Sequence, residues 1–180
     1  NIHTRRGNEL EDKIAAAIEK ANPGIRLVPM DSMSNSRNPL LGMTSIDRMA
    51  VSAETGEFLN YGYEIKAPQT IKQGEEGYEQ VSDYIDQVQH QMATGAGFNK
   101  MVLARGAYGE GKSSGAMTVE ETEMAKSDTW QKKNIPIAMA GQAALNREFS
   151  QGMGPFNTTG TFQPLNGQKV PYIYSEEFAL

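Results

Sequence analysis

Asp47, Glu64 and Lys66 are the residues of this chain whose types and spacing could do hydrolytic chemistry. They fall in Ile46-Asp47 and, after a turn, in Tyr63-Glu64-Ile65-Lys66-Ala67-Pro68. Side chains alternate along a strand, so Glu64 and Lys66 share one face while Tyr63 and Ile65 point the other way, into the core. Asp47, on the preceding strand of a hairpin, can be brought opposite them. Two carboxylates and an ammonium on one face are costly to bury unless a metal or a substrate compensates. Paired oxygen ligands suit Mg²⁺ or Mn²⁺, hard ions that keep several waters. A lysine beside them can hold or deprotonate an attacking water, and the ion lowers that water's pKa and neutralises charge on a phosphate. Spacing alone favours a plainer account, a solvent-facing hairpin with a cross-strand Asp–Lys pair worth under ~1 kcal/mol.

The elements that must position these groups are legible from periodicity. Gly7 to Lys20 reads as a helix, with Leu10, Ile14, Ala17 and Ile18 on one stripe, stopped by Asn22-Pro23-Gly24. Ile25 to Met30 reads as a short strand and Asp31 to Pro39 as a polar loop. Gly42 to Val51 and Phe58 to Lys66 read as strands joined by the turn 53–56, and Pro68 ends the pairing. Tyr78 to Met92 carries Tyr78, Val81, Tyr84, Ile85, Val88 and Met92 on one helical stripe, closed by Gly95 and Gly97. Lys100 to Ala104 reads as a buried strand, Ala116 to Glu120 as another, and a polar helix is expected within Ile135 to Phe149. Residues 150–180 read as irregular structure that wraps something or orders on assembly.

Both helices can reach the carboxylate face. At about 100° per residue, Glu11 lies at the edge of the first apolar stripe, whereas Glu9 and Asp12 project toward solvent. The same arithmetic sets Gln89 at the border of the second helix's core face and points Gln87 farther out. Glutamines there are ordinarily satisfied polar neighbours, though this one could reach the same cleft.

Helix glutamate, strand aspartate, E-I-K-A-P and then D-Y-I-D-Q-V-Q-H-Q-M on a helix together resemble a PD-(D/E)XK nuclease, within that group the lambda exonuclease-like, YqaJ-type viral recombinases. The resemblance runs from about Gly7 to Ala104. It implies that Glu11, Asp47 and Glu64 are metal ligands assisted by the Ile65 carbonyl. Lys66 then orients or activates the water, and Gln89 sits in the cleft near Lys66. It further implies Mg²⁺, with Mn²⁺ able to substitute, and digestion of duplex DNA from a 5′ end. The 3′ single-stranded tail passes to an annealing protein, and the assembly is a homo-oligomer such as a trimeric ring. Arg48 departs from the pattern, because the family's aspartate is followed by glycine. Arg5, Arg6, Arg48, Lys72 and Lys112 are the cations expected to meet DNA phosphates. For Arg48 a phosphate contact and a plain surface charge stand equal.

Composition excludes several other classes. The chain has 180 residues, 38% hydrophobic and 22% charged, the balance of a folded globular domain. No apolar run approaches the roughly 18–20 residues that span a bilayer. Without cysteine, and with only His3 and His90, neither a disulfide scaffold nor a zinc site is available. The net charge of −5 argues against coating nucleic acid by bulk electrostatics, but not against a local basic patch. Lys72, Lys100, Arg105, Lys132 and Lys133 are available for such a rim. His90 is expected on the helix surface and Trp130 as a packing anchor. A first residue other than Met suggests a trimmed or truncated chain.

Gly106 to Ser113 fits G-x-x-x-x-G-K-[ST] after a strand, the pattern of a phosphate-binding loop. The next residues, Ser114-Gly115-Ala116-Met117, are a poor helix opening, and a helix start is needed to complete the anion site. A glycine-rich hairpin loop is the competing account.

These observations lead to an α/β, restriction-endonuclease-like core over residues 1–125, a central mixed sheet flanked by helices. An irregular C-terminal extension over 126–180 is expected to pack on the core or on a neighbouring subunit. The function expected is a metal-dependent DNA exonuclease of phage recombination, acting in the bacterial cytoplasm with no membrane partner. A structure-specific or single-strand endonuclease, a catalytically silent DNA- or partner-binding subunit and a P-loop ATPase are the alternatives.

Overall fold

The computed structural model describes residues 2–30, 33–34, 38, 41, 43–94, 98–109, 115–150, 161–162 and 170–171. A five-stranded mixed sheet forms its centre, in the order β1 (Ile25–Pro29), β4 (Arg48–Ser52), β5 (Phe58–Lys66), β6 (Lys100–Tyr108), β7 (Met117–Ala125). Neighbours run antiparallel except β5 and β6, which are parallel. A parallel pair needs a crossover, and the segment between them supplies it with α2 (Ile85–Thr94).

Helix α1 (Ile2–Ala21) lies on one face of the sheet. Its Ile14, Ala15 and Ile18 are buried with Leu27, Ala50, Tyr63, Ile65, Val102 and Ala104. Helix α2 covers the other face, where Val88 and Met92 are buried with Ile46, Phe98 and Met101. The alternation expected along β5 is present: Tyr63 and Ile65 are buried under α1, leaving Glu64 and Lys66 to the α2 side. Gly62, just before them on β5, has a specific reason to be glycine. A Cβ there would lie 2.6 Å from Ile46 Cδ1, so its absence lets Ile46 seat against the sheet and fixes the chain just before Asp47.

Several boundaries differ from the pattern in the sequence. The first helix starts earlier, with Gly7 inside it. The strand expected over Gly42–Val51 is two pieces, β3 (Met43–Thr44) and β4, separated by Ser45–Asp47. Within the expected polar loop, β2 (Met33–Ser34) pairs with β3. A bulge between β4 and β5 shifts their register between Met49 and Val51, and Asn60 in that stretch takes φ 63°, a conformation asparagine tolerates.

The helix expected from Tyr78 begins as a 3-10 turn, Val81–Tyr84, and becomes α-helical only at Ile85. Strands β6 and β7 each run longer than expected. Helix α3 (Asp128–Ser150) opens seven residues before the expected window, capped by Ser127, whose hydroxyl accepts from the Trp130 N–H at 3.2 Å. Gly106–Tyr108 lie inside β6, and the next described element is the antiparallel strand β7. A strand thus stands where a phosphate-binding loop requires a helix, which removes the ATPase alternative.

Beyond α3 the described residues form one short ladder, β8 (Thr161–Phe162) with β9 (Val170–Pro171). Among the described residues, no helix is long and apolar enough to cross a membrane.

Candidate nuclease site

Glu64 is the centre of the site. It is 3% exposed and takes three donors: Lys66 Nζ lies 2.6 Å from Oε1, Gln87 Nε2 donates to Oε1 at 2.6 Å, and Gln91 Nε2 donates to Oε2 at 2.7 Å. Burying a carboxylate at this depth requires such partners. Lys66 is held from its other side by the Tyr84 ring, 5.3 Å from the ammonium. Its side chain remains 26% exposed, so it can be reached from solvent.

Asp47 lies in the break before β4 and not on the strand itself. Its Oδ2 accepts the Ile65 backbone N–H at 2.6 Å, which brings its carboxylate beside the adjacent residue of β5, Glu64. Burial pushes the Asp47 carboxyl up from 3.8 to about 6, helped by the neighbouring charges of Glu64 and, more weakly, Glu11; the Ile65 N–H and Lys66 pull against this. A carboxylate raised in this way is short of positive charge.

Gln91 ties the two arms together. Its amide nitrogen donates to Glu64 and also to the Ser45 carbonyl at 2.9 Å, two residues before Asp47. Its Oε1 is buried and accepts no hydrogen bond among the described residues. Removing this bridge as Gln91→Leu strands Glu64 Oε2 and the Ser45 carbonyl. The expected result is a loss of about 2–3 kcal/mol in urea denaturation and, as for an outer partner of a metal ligand, a roughly 10–100-fold lower metal affinity.

Gln89 does not enter this cleft. Its Nε2 donates to the Ala125 carbonyl, its Oε1 accepts from Ser127 N–H, both at 2.9 Å, and Gln131 donates to its carbonyl. It pins the β7–α3 junction to α2. The physical reason is phase. A 3-10 turn advances about 120° per residue where an α-helix advances about 100°, so the turn at Val81–Tyr84 rotates every later residue of the helix. Ile85 comes out 41% exposed, Gln91 is buried, and Gln87 and Gln91, one α-turn apart, face Glu64. No signal in the sequence separates the three glutamines once the 3-10 turn is read as helix.

Glu11 is not gathered with the other two carboxylates. Arg48 pairs in register with Tyr63, so its side chain emerges on the α1 face. There its Nη1 meets Glu11 at 2.5 Å and its Nη2 meets Asp12 at 2.6 Å, while Nη1 also donates to the Asp47 carbonyl. Arg48 is thus neither a free phosphate contact nor a surface charge, since its side chain is only 10% exposed. Among the described residues no three acidic or imidazole side chains are grouped to share one ion.

Among the described residues, the other cations each have their own surroundings, and Lys72 and Arg105 share one cleft. Lys72 lies at a cleft of about 460 Å³, lined also by Thr70, Tyr78, Arg105, Tyr108 and Thr118, and forms an ion pair with Glu75. Arg105 is buried beneath Tyr78, bonded to the Glu79 carbonyl and Glu120. Lys100 pairs with Glu123, and Lys132 and Lys133 are exposed on α3. Trp130 donates to Asp86 at 2.6 Å, anchoring α3 to α2. Lys112 lies outside the described residues, as do the side chains of Arg5 and Arg6, whose backbone belongs to α1.

A mixed sheet in which a central strand carries a glutamate and a lysine, and the turn leading into its neighbour brings an aspartate beside them, with one helix on each face, is the core of a PD-(D/E)XK-type nuclease. The YqaJ-like viral recombinase domain matches residues 1–99, more than half of the chain, and the chain belongs to that family. Membership places it among the phage-type nucleases of recombination, with DNA as the substrate. No curated protein matches the chain.

Proposed function

We propose that this chain is a divalent-metal-dependent exonuclease that degrades one strand of linear duplex DNA from its 5′ end. The 3′ single-stranded tail is then available to an annealing partner. The observation that carries the reading is the contact of Lys66 with a buried Glu64 beside an Asp47 carboxylate whose pKa is raised to about 6. The donor set fits Mg²⁺ or Mn²⁺: hard oxygens, an excess of negative charge, and in Gln91 Oε1 a buried acceptor able to take a hydrogen bond from a ligated water. Asp47 and Glu64 would hold the ion, with the Ile65 carbonyl beside them. When bound, the ion supplies charge neutralisation at the phosphate and a more acidic water.

The chain's own groups do the rest. Lys66, fixed between Glu64 and Tyr84, holds the attacking water by one N–H and keeps its ammonium near the phosphate, where negative charge develops. Gln87 and Gln91 keep Glu64 oriented as Lys66 engages the water. The water oxygen attacks phosphorus in line, losing a proton to bulk solvent, and the opposite P–O bond breaks, its oxygen taking a proton from solvent. A homo-oligomeric ring and action in the cytoplasm of an infected bacterium belong to the same proposal.

The test is digestion of end-labelled linear duplex with Mg²⁺, comparing 5′-phosphate with 5′-hydroxyl ends. Progressive release of mononucleotides from the 5′ end is the expected result. Nicking of covalently closed circles without an end requirement would keep the site but replace the exonuclease by an endonuclease. No cleavage with either Mg²⁺ or Mn²⁺ would reduce the protein to a binding subunit.

A further inference from the structure

We propose that the cleft at Arg105 is a phosphate subsite, and that Glu120 occupies the Arg105 guanidinium until a phosphate of a nucleotide chain takes its place. The ligand class rests on the nuclease reading. The site itself rests on a buried arginine that the described residues leave incompletely paired.

Arg105 is the register partner of Lys66 across the parallel pair β5–β6. The preceding partners, Ile65 and Ala104, are buried together under α1. Side chains alternate along a strand, so Lys66 and Arg105 both emerge on the α2 face. Neighbouring strands lie only about 4.8 Å apart, which opens the cleft directly beside the lysine of the carboxylate site. A phosphate at Arg105 and the phosphate attacked beside Lys66 can therefore belong to one strand.

The arginine is held as a binding group and not as half of a stabilising pair. Its side chain is 5% exposed, whereas that of Glu120, 2.8 Å away, is 48% exposed. A guanidinium at this depth loses nearly all its hydration, and a half-exposed carboxylate screened by water offsets little of that cost. The orientation of the guanidinium is fixed from the segment leading into α2. Nη1 donates to the Glu79 carbonyl, and the Tyr78 ring centre lies 5.4 Å from the guanidinium carbon.

That orientation leaves one edge of the guanidinium, Nε with Nη2, for an anion. Glu120 takes only Nη2. Nε is buried and has no acceptor among the described residues, although buried donors are ordinarily paired. A phosphate fits such an edge with two parallel hydrogen bonds, so Glu120 is a single-point occupant of a two-point site. It stands on the edge strand β7 and can turn into solvent, which the buried Arg105 cannot. The cleft of about 460 Å³ supplies Thr70, Lys72 and Thr118 as further polar lining, and Ile71 and Tyr78 as apolar lining for the sugar and base that a phosphate carries.

NMR titration of the full chain in chelator, following the Arg105 Nε–H signal, tests this apart from cleavage. The probes are inorganic phosphate and thymidine trinucleotides with and without a 5′ phosphate. Saturable shifts at Arg105 are expected. Glu120→Gln should bind about 3–10-fold more tightly, because a charged competitor becomes a neutral one. Glu123→Gln removes an equal charge from the other face of β7, where Glu123 pairs with Lys100, and should stay within twofold of wild type. Equal binding of the two trinucleotides would support the subsite as one for an internal phosphodiester. Binding of the phosphorylated one alone would support it as one for a strand end. Shifts confined to other residues, no binding, a gain below threefold in Glu120→Gln, or an equal gain in Glu123→Gln would each overturn the proposal. Cleavage of duplex with Mg²⁺, assayed in parallel, would then leave the nuclease reading standing. Phosphate binding at Arg105 without cleavage by either Mg²⁺ or Mn²⁺ would do the reverse. Both substitutions lie at exposed carboxylates, so neither outcome depends on a variant that disturbs the core.

Discussion

Replacing Lys66 by methionine is expected to slow phosphodiester cleavage by about 10²–10⁴-fold, the range for removing a group that handles the attacking water or stabilises the charge formed. Mn²⁺ affinity should change little or tighten, because a positive charge leaves while both carboxylates stay. Glu64 keeps its two glutamine donors, so the site does not collapse. Methionine retains an apolar stem against Tyr84, which limits the loss of packing to a few tenths of a kcal/mol. Lys66→Arg sharpens the test. It preserves charge but sets a wide planar fork where a compact ammonium lies 2.6 Å from Glu64. Recovery of less than tenfold over Lys66→Met is expected, because position and not charge alone matters. The measurement is the single-turnover rate on linear duplex with ion binding determined in parallel. A Lys66→Met rate within fivefold of wild type would remove the lysine from the mechanism.

The legible and illegible parts of this site divide by range of interaction. The β5 motif can be read because strand alternation is a local rule, and it sets Glu64 and Lys66 opposite Tyr63 and Ile65. The apolar stripe of α1 is readable for the same reason. Asp47 is identifiable as a residue, but local pattern puts it on a strand. The break at Ser45–Asp47 depends on a long-range bond from Gln91 to the Ser45 carbonyl and on the Asp47–Ile65 bond, neither encoded in local pattern. The choice among Gln87, Gln89 and Gln91 turns on a 3-10 turn that apolar spacing cannot distinguish from an α-turn. Arg48 stands out as a departure, yet its Asp12 partner comes from a helix 36 residues away in sequence. The start of helix α3 is hard to read because a capping serine marks it and not an apolar stripe.

Asp47→Asn should have opposite effects on stability and on function. In the fold, the carboxyl titrates near 6; in the unfolded chain it returns to its ordinary 3.8. A raised folded value means the fold favours the protonated form. The associated stability is fully present below pH 3.8 and is lost as pH rises through 6. The full difference corresponds to about 3 kcal/mol, which partial solvent access reduces to about 1–2 kcal/mol. Asparagine keeps an acceptor for the Ile65 N–H and carries no charge. In chelator at pH 8 the variant should therefore melt about 3–7 °C above wild type, and the gap should close as pH falls toward 4. Adding Mg²⁺ reverses the order. Wild type gains about 2.7 kcal/mol at a concentration 100 times its Kd, whereas the variant, lacking the carboxylate with most open ligand positions, gains almost nothing and cleaves at least about 10²-fold more slowly. A variant that melts below wild type in chelator would mean that Asp47 is stabilised by the partners it already has. Crossing melting curves, with and without the ion, would show instead a carboxylate that the fold holds at a loss until a cation arrives, as expected where a site is built for binding rather than for stability.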